Sequence, residues 1–204
     1  MIKVSASVLG EGFSQEAVDS VKTADMLQLD ILDGRFTPET SVWADIVDLL
    51  KTDLPKDVHL MTMNPEEHIQ EFIDAGAARI AFHIEGTEFP ESAIGQIQGA
   101  GLKAGIAIKP ETPVRRIEEY LEMIDYVLIM TIHPGASGRK FMPEVLEKVR
   151  YIHAMYPHVE IEVDGGINAE TGKMAADMGA DILVSDSFIH NGNTEENIEI
   201  LKNV

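Results

Sequence analysis

Leu27-Gln28-Leu29-Asp30-Ile31-Leu32-Asp33-Gly34 reads as a buried strand with an acid on its interior. Its Leu and Ile residues favour an extended, covered segment, and Asp33-Gly34 supplies a turn pair to end it. Successive strand residues point to opposite faces, so Gln28 and Asp30 converge on one side. A carboxylate there is costly unless a cation, hydrogen-bond donors or a wet cleft compensates it. Two later segments repeat the pattern: Val58-His59-Leu60-Met61 and Ile161-Glu162-Val163-Asp164-Gly165-Gly166.

Outward from this segment, short apolar runs recur at roughly 2–8, 57–61, 79–84, 103–108, 126–132, 159–163 and 181–185, with 26–31 the opening one. Several are continuous rather than alternating, as parallel strands covered on both faces require. Helix-start signals lie between them: Asn64-Pro65-Glu66-Glu67, Thr112-Pro113, Asn168-Ala169-Glu170 and Thr194-Glu195-Glu196. The stretch 142–156 places Val145, Val149, Ile152 and Tyr156 at helical spacing, an amphipathic crossover. Ala75-Gly76-Ala77, Gly99-Ala100-Gly101 and Gly179-Ala180-Asp181 suit helix ends that lead into the next strand. About eight βα units at ~20–25 residue spacing predict an α/β fold, a (β/α)8 TIM barrel with residues 1–204 as a single domain. A doubly wound open sheet is the rival arrangement.

The composition narrows the function classes. The 204 residues are 45% hydrophobic and 25% charged, ordinary for a soluble protein with one substantial core. A net charge of −19 argues against nucleic acid or an anionic membrane as partner. With no cysteine, any metal must be held by His and carboxylate ligands. The N-terminus lacks a long apolar stretch and no run approaches ~18 apolar residues, so a cytoplasmic location is expected.

Active sites of such barrels sit at the C-terminal ends of the strands. Asp30, His59 and Asp164 fall at or near those ends in the second, third and seventh strands. Ser7 closes the first, and His83, Lys109 and His133 close the fourth to sixth. Two carboxylates and an imidazole suit a divalent cation such as zinc, manganese or iron. Taken alone, His59 also reads as a satisfied core histidine and Asp164-Gly165 as an ordinary turn. Asp30, inside a Leu/Ile run, is the hardest to explain structurally. Three loops offer backbone N–H groups to an anion: Gly135-Ala136-Ser137-Gly138, Gly165-Gly166 and Ser185-Asp186-Ser187. Asp186 repels an anion unless it points outward, and Arg139 and Lys140 could offset it.

These blocks together resemble the ribulose-phosphate 3-epimerase family, from Val4 to about Gly192. The similarity rests on Ser7-Val8-Leu9, on Leu29-Asp30-Ile31-Leu32-Asp33-Gly34-x-Phe36-x-Pro38 and on Asp57-Val58-His59-Leu60-Met61. It continues in Ala104-Gly105-Ile106-Ala107, Pro110-x-Thr112-Pro113, Met130-Thr131-x-x-Pro134-Gly135 and Glu162-Val163-Asp164-Gly165-Gly166-Ile167-Asn168. The resemblance implies a barrel that inverts carbon 3 of a ketose phosphate, D-ribulose 5-phosphate to D-xylulose 5-phosphate. Asp30 and Asp164 would be the two acid–base groups, acting through a metal-stabilised enediolate. The implied metal ligands are Asp30, His59 and Asp164. Ser7, His59, Met61 and Met130 would contact substrate, and Gly135 to Gly138, Gly165, Gly166 and Ser187 would form the phosphate side. A homo-oligomer is implied as well.

The chain departs from the family pattern around this rim. Gln28 stands where the family has a histidine ligand, and a weaker ligand there shifts metal preference toward harder ions. Gly135-Ala136-Ser137-Gly138 replaces Gly-Phe-Gly-Gly, and Asp186 replaces a glycine. Arg35, Glu39 and Ala6 replace a histidine, an asparagine and a proline. Two alternatives follow: an isomerase of another ketose phosphate or sugar acid, or a non-catalytic sugar-phosphate-binding barrel. Decarboxylation is disfavoured, because the window Gln28-Leu29-Asp30-Ile31-Leu32-Asp33 lacks the lysine of an Asp-x-Lys-x-x-Asp pattern.

Overall fold

Eight parallel strands close on themselves in chain order in the computed structural model, which describes residues 2–135 and 140–204. They are β1 Lys3–Ser7, β2 Met26–Leu32, β3 Lys56–Met61, β4 Arg79–His83, β5 Lys103–Ile108, β6 Tyr126–Met130, β7 Glu160–Asp164 and β8 Ile182–Ser185. Pairing of β1 with β8 completes the ring, so the open-sheet alternative is excluded. Each strand lies within a residue or two of its apolar run, because hydrophobicity on both faces is what selects a barrel strand.

The crossovers are α1 Gln15–Ser20, α2 Ala44–Leu49, α3 Ile69–Asp74, α4 Pro90–Gly99, α5 Leu146–Met155 and α6 Ala169–Asp177, with α7 Thr194–Lys202 following β8. Asn168 caps α6 with a reciprocal box: its side chain accepts from the Thr171 N–H and the Thr171 hydroxyl accepts from the Asn168 N–H. Other start signals resolve differently. Asn64 adopts a left-handed backbone (φ 51°) with no side-chain cap, and Pro65 opens a 3-10 turn before α3. Its N–H is spent on the Gly86 carbonyl at 2.8 Å instead. Thr112-Pro113 leads not to an α-helix but to two tight turns, Val114–Arg116 and Glu118–Tyr120. Ile117 and Leu121 still bury there, so the turns cover the barrel as a helix does elsewhere. Asn193, one residue before Thr194, caps α7. No helix among the described residues is long and apolar enough to cross a membrane.

Two compartments result. The large apolar core lies between strands and helices, where Leu27, Leu29, Ile31, Val58, Leu60, Val127, Ile129, Ile161 and Val163 face outward. The barrel interior is divided. Ala81, Ala107, Leu128, Met130 and Ile132 form a small apolar cluster with Tyr126. Ser5, Gln28, Asp57, Arg79 and Glu162 fill the rest of it with buried polar groups. Gly105 makes room for this layer, since a Cβ there would lie 2.3 Å from the Tyr126 ring. The Arg79 guanidinium stacks 3.5 Å from the centre of that ring.

Candidate active site

Strand register decides which side chains meet. Asp30 pairs with His59 across β2 and β3, and Met130 pairs with Asp164 across β6 and β7. Inward-facing positions at one level of the barrel therefore bring Asp30, His59 and Asp164 together from three strands. His59 Nδ1 lies 3.0 Å from Asp30 Oδ1 and 3.7 Å from Asp164 Oδ2. One potential ligand atom from each of the three residues falls within 4.8 Å of the others.

Asp30 is buried and held on both oxygens. Ser7 Oγ donates to Oδ2 at 2.8 Å, and Gln28 Nε2 donates to Oδ1 at 3.1 Å. Gln28 thus turns its amide nitrogen, not its oxygen, toward the cluster, while its Oε1 accepts from Ser5 Oγ. Ser7 is steadied in turn, since its carbonyl lies 2.9 Å from His190 Nε2. Asp164 is the more open acid, its side chain 17% exposed to the pocket. Burial, then the negative charges of Asp30, Asp186 and Asp57, push its carboxyl well above the usual range.

Behind His59 lies a second imidazole. His59 Nε2 is 3.0 Å from His83 Nε2, and His83 Nδ1 is 2.9 Å from Glu85 Oε2. Burial pushes His83 down to about 4 against the opposing pull of Glu85. Glu85 is drawn down to about 2, because hydrogen bonds from His83, Thr112 and the Lys109 N–H outweigh its burial. His83 could be placed at a strand end from sequence, but its partnership with Glu85 was missed. The signal was the His-x-Glu spacing at the end of β4.

The pocket above the acids is small and is lined by Ser7, Asp30, Met61, Met130, Gly135 and Asp164, with Leu9, Ile132 and Asp186. Asp186 faces inward here, accepting the Gly10 N–H at 3.1 Å. Gly166 and Ser187 line a neighbouring groove at the α6 N-terminus with Lys140 and Asn168. Gly165 shapes the turn after β7: its φ is +119° and a Cβ would lie 2.6 Å from Ile132. Thr131 Oγ1 pins that turn by donating to the Gly165 carbonyl at 2.6 Å. His133 stays at the surface, 3.3 Å from Glu111. Ala136, Ser137, Gly138 and Arg139 lie outside the described residues. A larger open groove borders Lys51, Lys56 at the start of β3 and Asp74 at the end of α3, at the barrel's other end. The acid cluster does not reach it.

A metal fits the cluster by its donor set. One ligand atom from each of two carboxylates and an imidazole lies within 4.8 Å of the others, and no Lys or Arg among the described residues pairs with either acid. Fold and site together define a (β/α)8 barrel with an acid pair and a candidate divalent-cation site at its C-terminal rim. Residues 3–190 match the model of the ribulose-phosphate 3-epimerase family, and the chain belongs to that family. A ribulose-phosphate 3-epimerase of Bacillus subtilis is 38% identical over 201 residues, 93% of each chain. One from Schizosaccharomyces pombe is 38% identical over 88% of this chain and 82% of its own. Among solved structures, 3-keto-L-gulonate-6-phosphate decarboxylase from Vibrio cholerae superposes with a TM-score of 0.76 at 12% identity, covering 99% of this chain and 96% of its own. At that identity the likeness concerns the fold alone.

Proposed function

We propose that this chain interconverts D-ribulose 5-phosphate and D-xylulose 5-phosphate by inverting carbon 3. The observation that carries the reading is the convergence of Asp30 and Asp164 from β2 and β7 on one small pocket. The C3 hydrogen is acidified by the adjacent C2 carbonyl. Inversion then needs one group to remove that proton and another to return a proton to the opposite face. In this reading Asp30 and Asp164 are those two groups, and they exchange roles in the reverse direction. Asp164, the more exposed of the two, opens onto the pocket where the sugar would lie. Met61 and Met130 give the pocket an apolar lining that excludes water from the exchanging proton.

A divalent ion such as zinc, manganese or iron would be held by Asp30, His59 and Asp164, and when bound it supplies positive charge beside the developing C2 oxyanion. Gly135, Gly165, Gly166 and Ser187 are proposed to receive the phosphate through backbone N–H groups. Family membership and relatives of that name support the reading. The test is ribulose 5-phosphate in deuterated water. Deuterium should appear at C3, and its absence at high enzyme concentration would sink the proposal. The inward carboxylate of Asp186 favours a second reading, in which another ketose phosphate or a sugar acid is preferred. Exchange across a panel of sugars, with and without phosphate, separates the two.

A further inference from the structure

The turn after β8 grips the loop after β1 at two backbone points. Asp186 Oδ2 accepts the Gly10 N–H at 3.1 Å. His190 Nε2 donates to the Ser7 carbonyl at 2.9 Å, since a carbonyl only accepts. The gripping turn is itself held from α7. Asn197 Nδ2 donates to the carbonyls of Phe188, Ile189 and Asn191, and the His190 N–H returns to the Asp186 carbonyl at 3.2 Å. Between the two gripped points the β1 loop carries Ser7 and Leu9 into the pocket wall. The Leu9 N–H donates to Ser7 Oγ at 3.3 Å, and Ser7 Oγ donates to Asp30 Oδ2 at 2.8 Å. Where this loop lies therefore decides where the hydroxyl that holds Asp30 lies.

Gly10 is shaped to the carboxylate. Its backbone is outside the left-handed region, so no turn requires glycine there. Space does: the three nearest atoms a Cβ would meet all belong to Asp186, with Oδ2 at 2.9 Å. We propose that Asp186 is a positioning residue, a latch that fixes the β1 loop through Gly10 and so sets Ser7 and Leu9 at the pocket. His190 holds the start of the loop and Asp186 its far end. The latch needs an acceptor oxygen at that point, not a negative charge. Its kinetic consequence rests on the epimerase reading above.

Asp186→Ala and Asp186→Asn separate the acceptor from the charge, with ribulose 5-phosphate as substrate. Losing the acceptor in Asp186→Ala should raise hydrogen exchange at the Gly10 amide about tenfold. The same variant should lower kcat roughly 10- to 100-fold through the displaced Ser7, with KM changed less than about threefold. Asp186→Asn still offers an amide oxygen, so it should keep Gly10 protected and recover most of the lost kcat. Gly10→Ala should copy Asp186→Ala by pushing the carboxylate off, and the two changes together should cost no more than either alone. The proposal is overturned by Gly10 exchange that ignores Asp186→Ala, by Asp186→Asn failing as badly as Asp186→Ala, or by fully additive losses in the double variant. A fall in KM in both Asp186 variants would also overturn it, since that is the mark of a charge repelling the phosphate. Should neither wild type nor variant turn over any sugar, the epimerase reading falls, and Gly10 exchange alone upholds or overturns the latch.

Discussion

Two groups of buried carboxylates share the interior of this barrel. In the half nearer the N-terminal strand ends, Arg79 contacts Asp57 at 3.2 Å, Glu160 at 3.0 Å and Glu162 at 2.9 Å. Burial alone would weaken the guanidinium's charge, but Asp57 and Glu162 hold it. Glu162 is pushed well above the usual carboxylate range, first by burial and then by Asp57, so this cluster compensates itself within the protein. At the C-terminal rim Asp30 and Asp164 meet His59 Nδ1 at 3.0 and 3.7 Å, and no Arg or Lys among the described residues joins them. The difference separates structure from function. A cluster closed by its own cation is part of the scaffold, whereas one left open to a pocket is where charge can be supplied by something bound.

Substitution at the two clusters should therefore affect different properties. The largest effect is expected from Asp164→Asn, which should cut epimerisation by a factor on the order of 10² to 10⁴. The same change should leave urea stability of the metal-free protein equal or higher, because it removes a carboxyl whose ionised form burial and Asp30 oppose; a clear loss of stability would erase the distinction. Arg79→Met should do the reverse at the other cluster. It strands three carboxylates, so unfolding free energy should fall by about 3–5 kcal/mol in a denaturant titration. Arg79→Lys should restore little, since one ammonium cannot replace three separate guanidinium contacts.

The rim should also be the acid-sensitive part. His83 is held down at about 4 against an ordinary 6.5, so the unfolded chain binds more protons between those values. Stability should then fall as pH drops from about 6.5 to about 4, by an amount on the order of 3 kcal/mol. Glu85, held at about 2 against 4.5, contributes stability that is present above 4.5 and lost as pH falls toward 2. In urea midpoints against pH, His83→Gln should flatten the first window; an unchanged slope would assign the acid lability elsewhere. The smallest effect is expected from Gln28→His. Offering an imidazole nitrogen as a fourth ligand, in place of an amide whose oxygen is turned away, should raise Mn(II) affinity about tenfold by calorimetry. No gain would mean that the three-ligand site is complete as it stands.

Legibility in the sequence followed the range of the forces involved. Strand positions could be read because burial on both faces leaves an apolar run, and Asp30 stood out because it breaks one. The cap at Asn168 was legible for the same local reason. Asn64 was not, since its backbone is set by a hydrogen bond to Gly86, 22 residues away. The crossover after Thr112 was not legible either. Its entry is pinned by Lys148, whose ammonium holds the carbonyls of Lys109, Pro110 and Thr112.

The same boundary runs through the site. Local sequence alone sufficed for eight strands and for which residues end them, because period and turn chemistry are properties of neighbours along the chain. Barrel closure and strand register decided the rest. They set Asp30 beside His59 and brought Asp164 over from the far side of the sequence. They turned the Gln28 amide toward Asp30 and aligned His59, His83 and Glu85 in a continuous row of close contacts. Those are contacts among residues two to well over a hundred positions apart, and only a closed ring of strands fixes their distances.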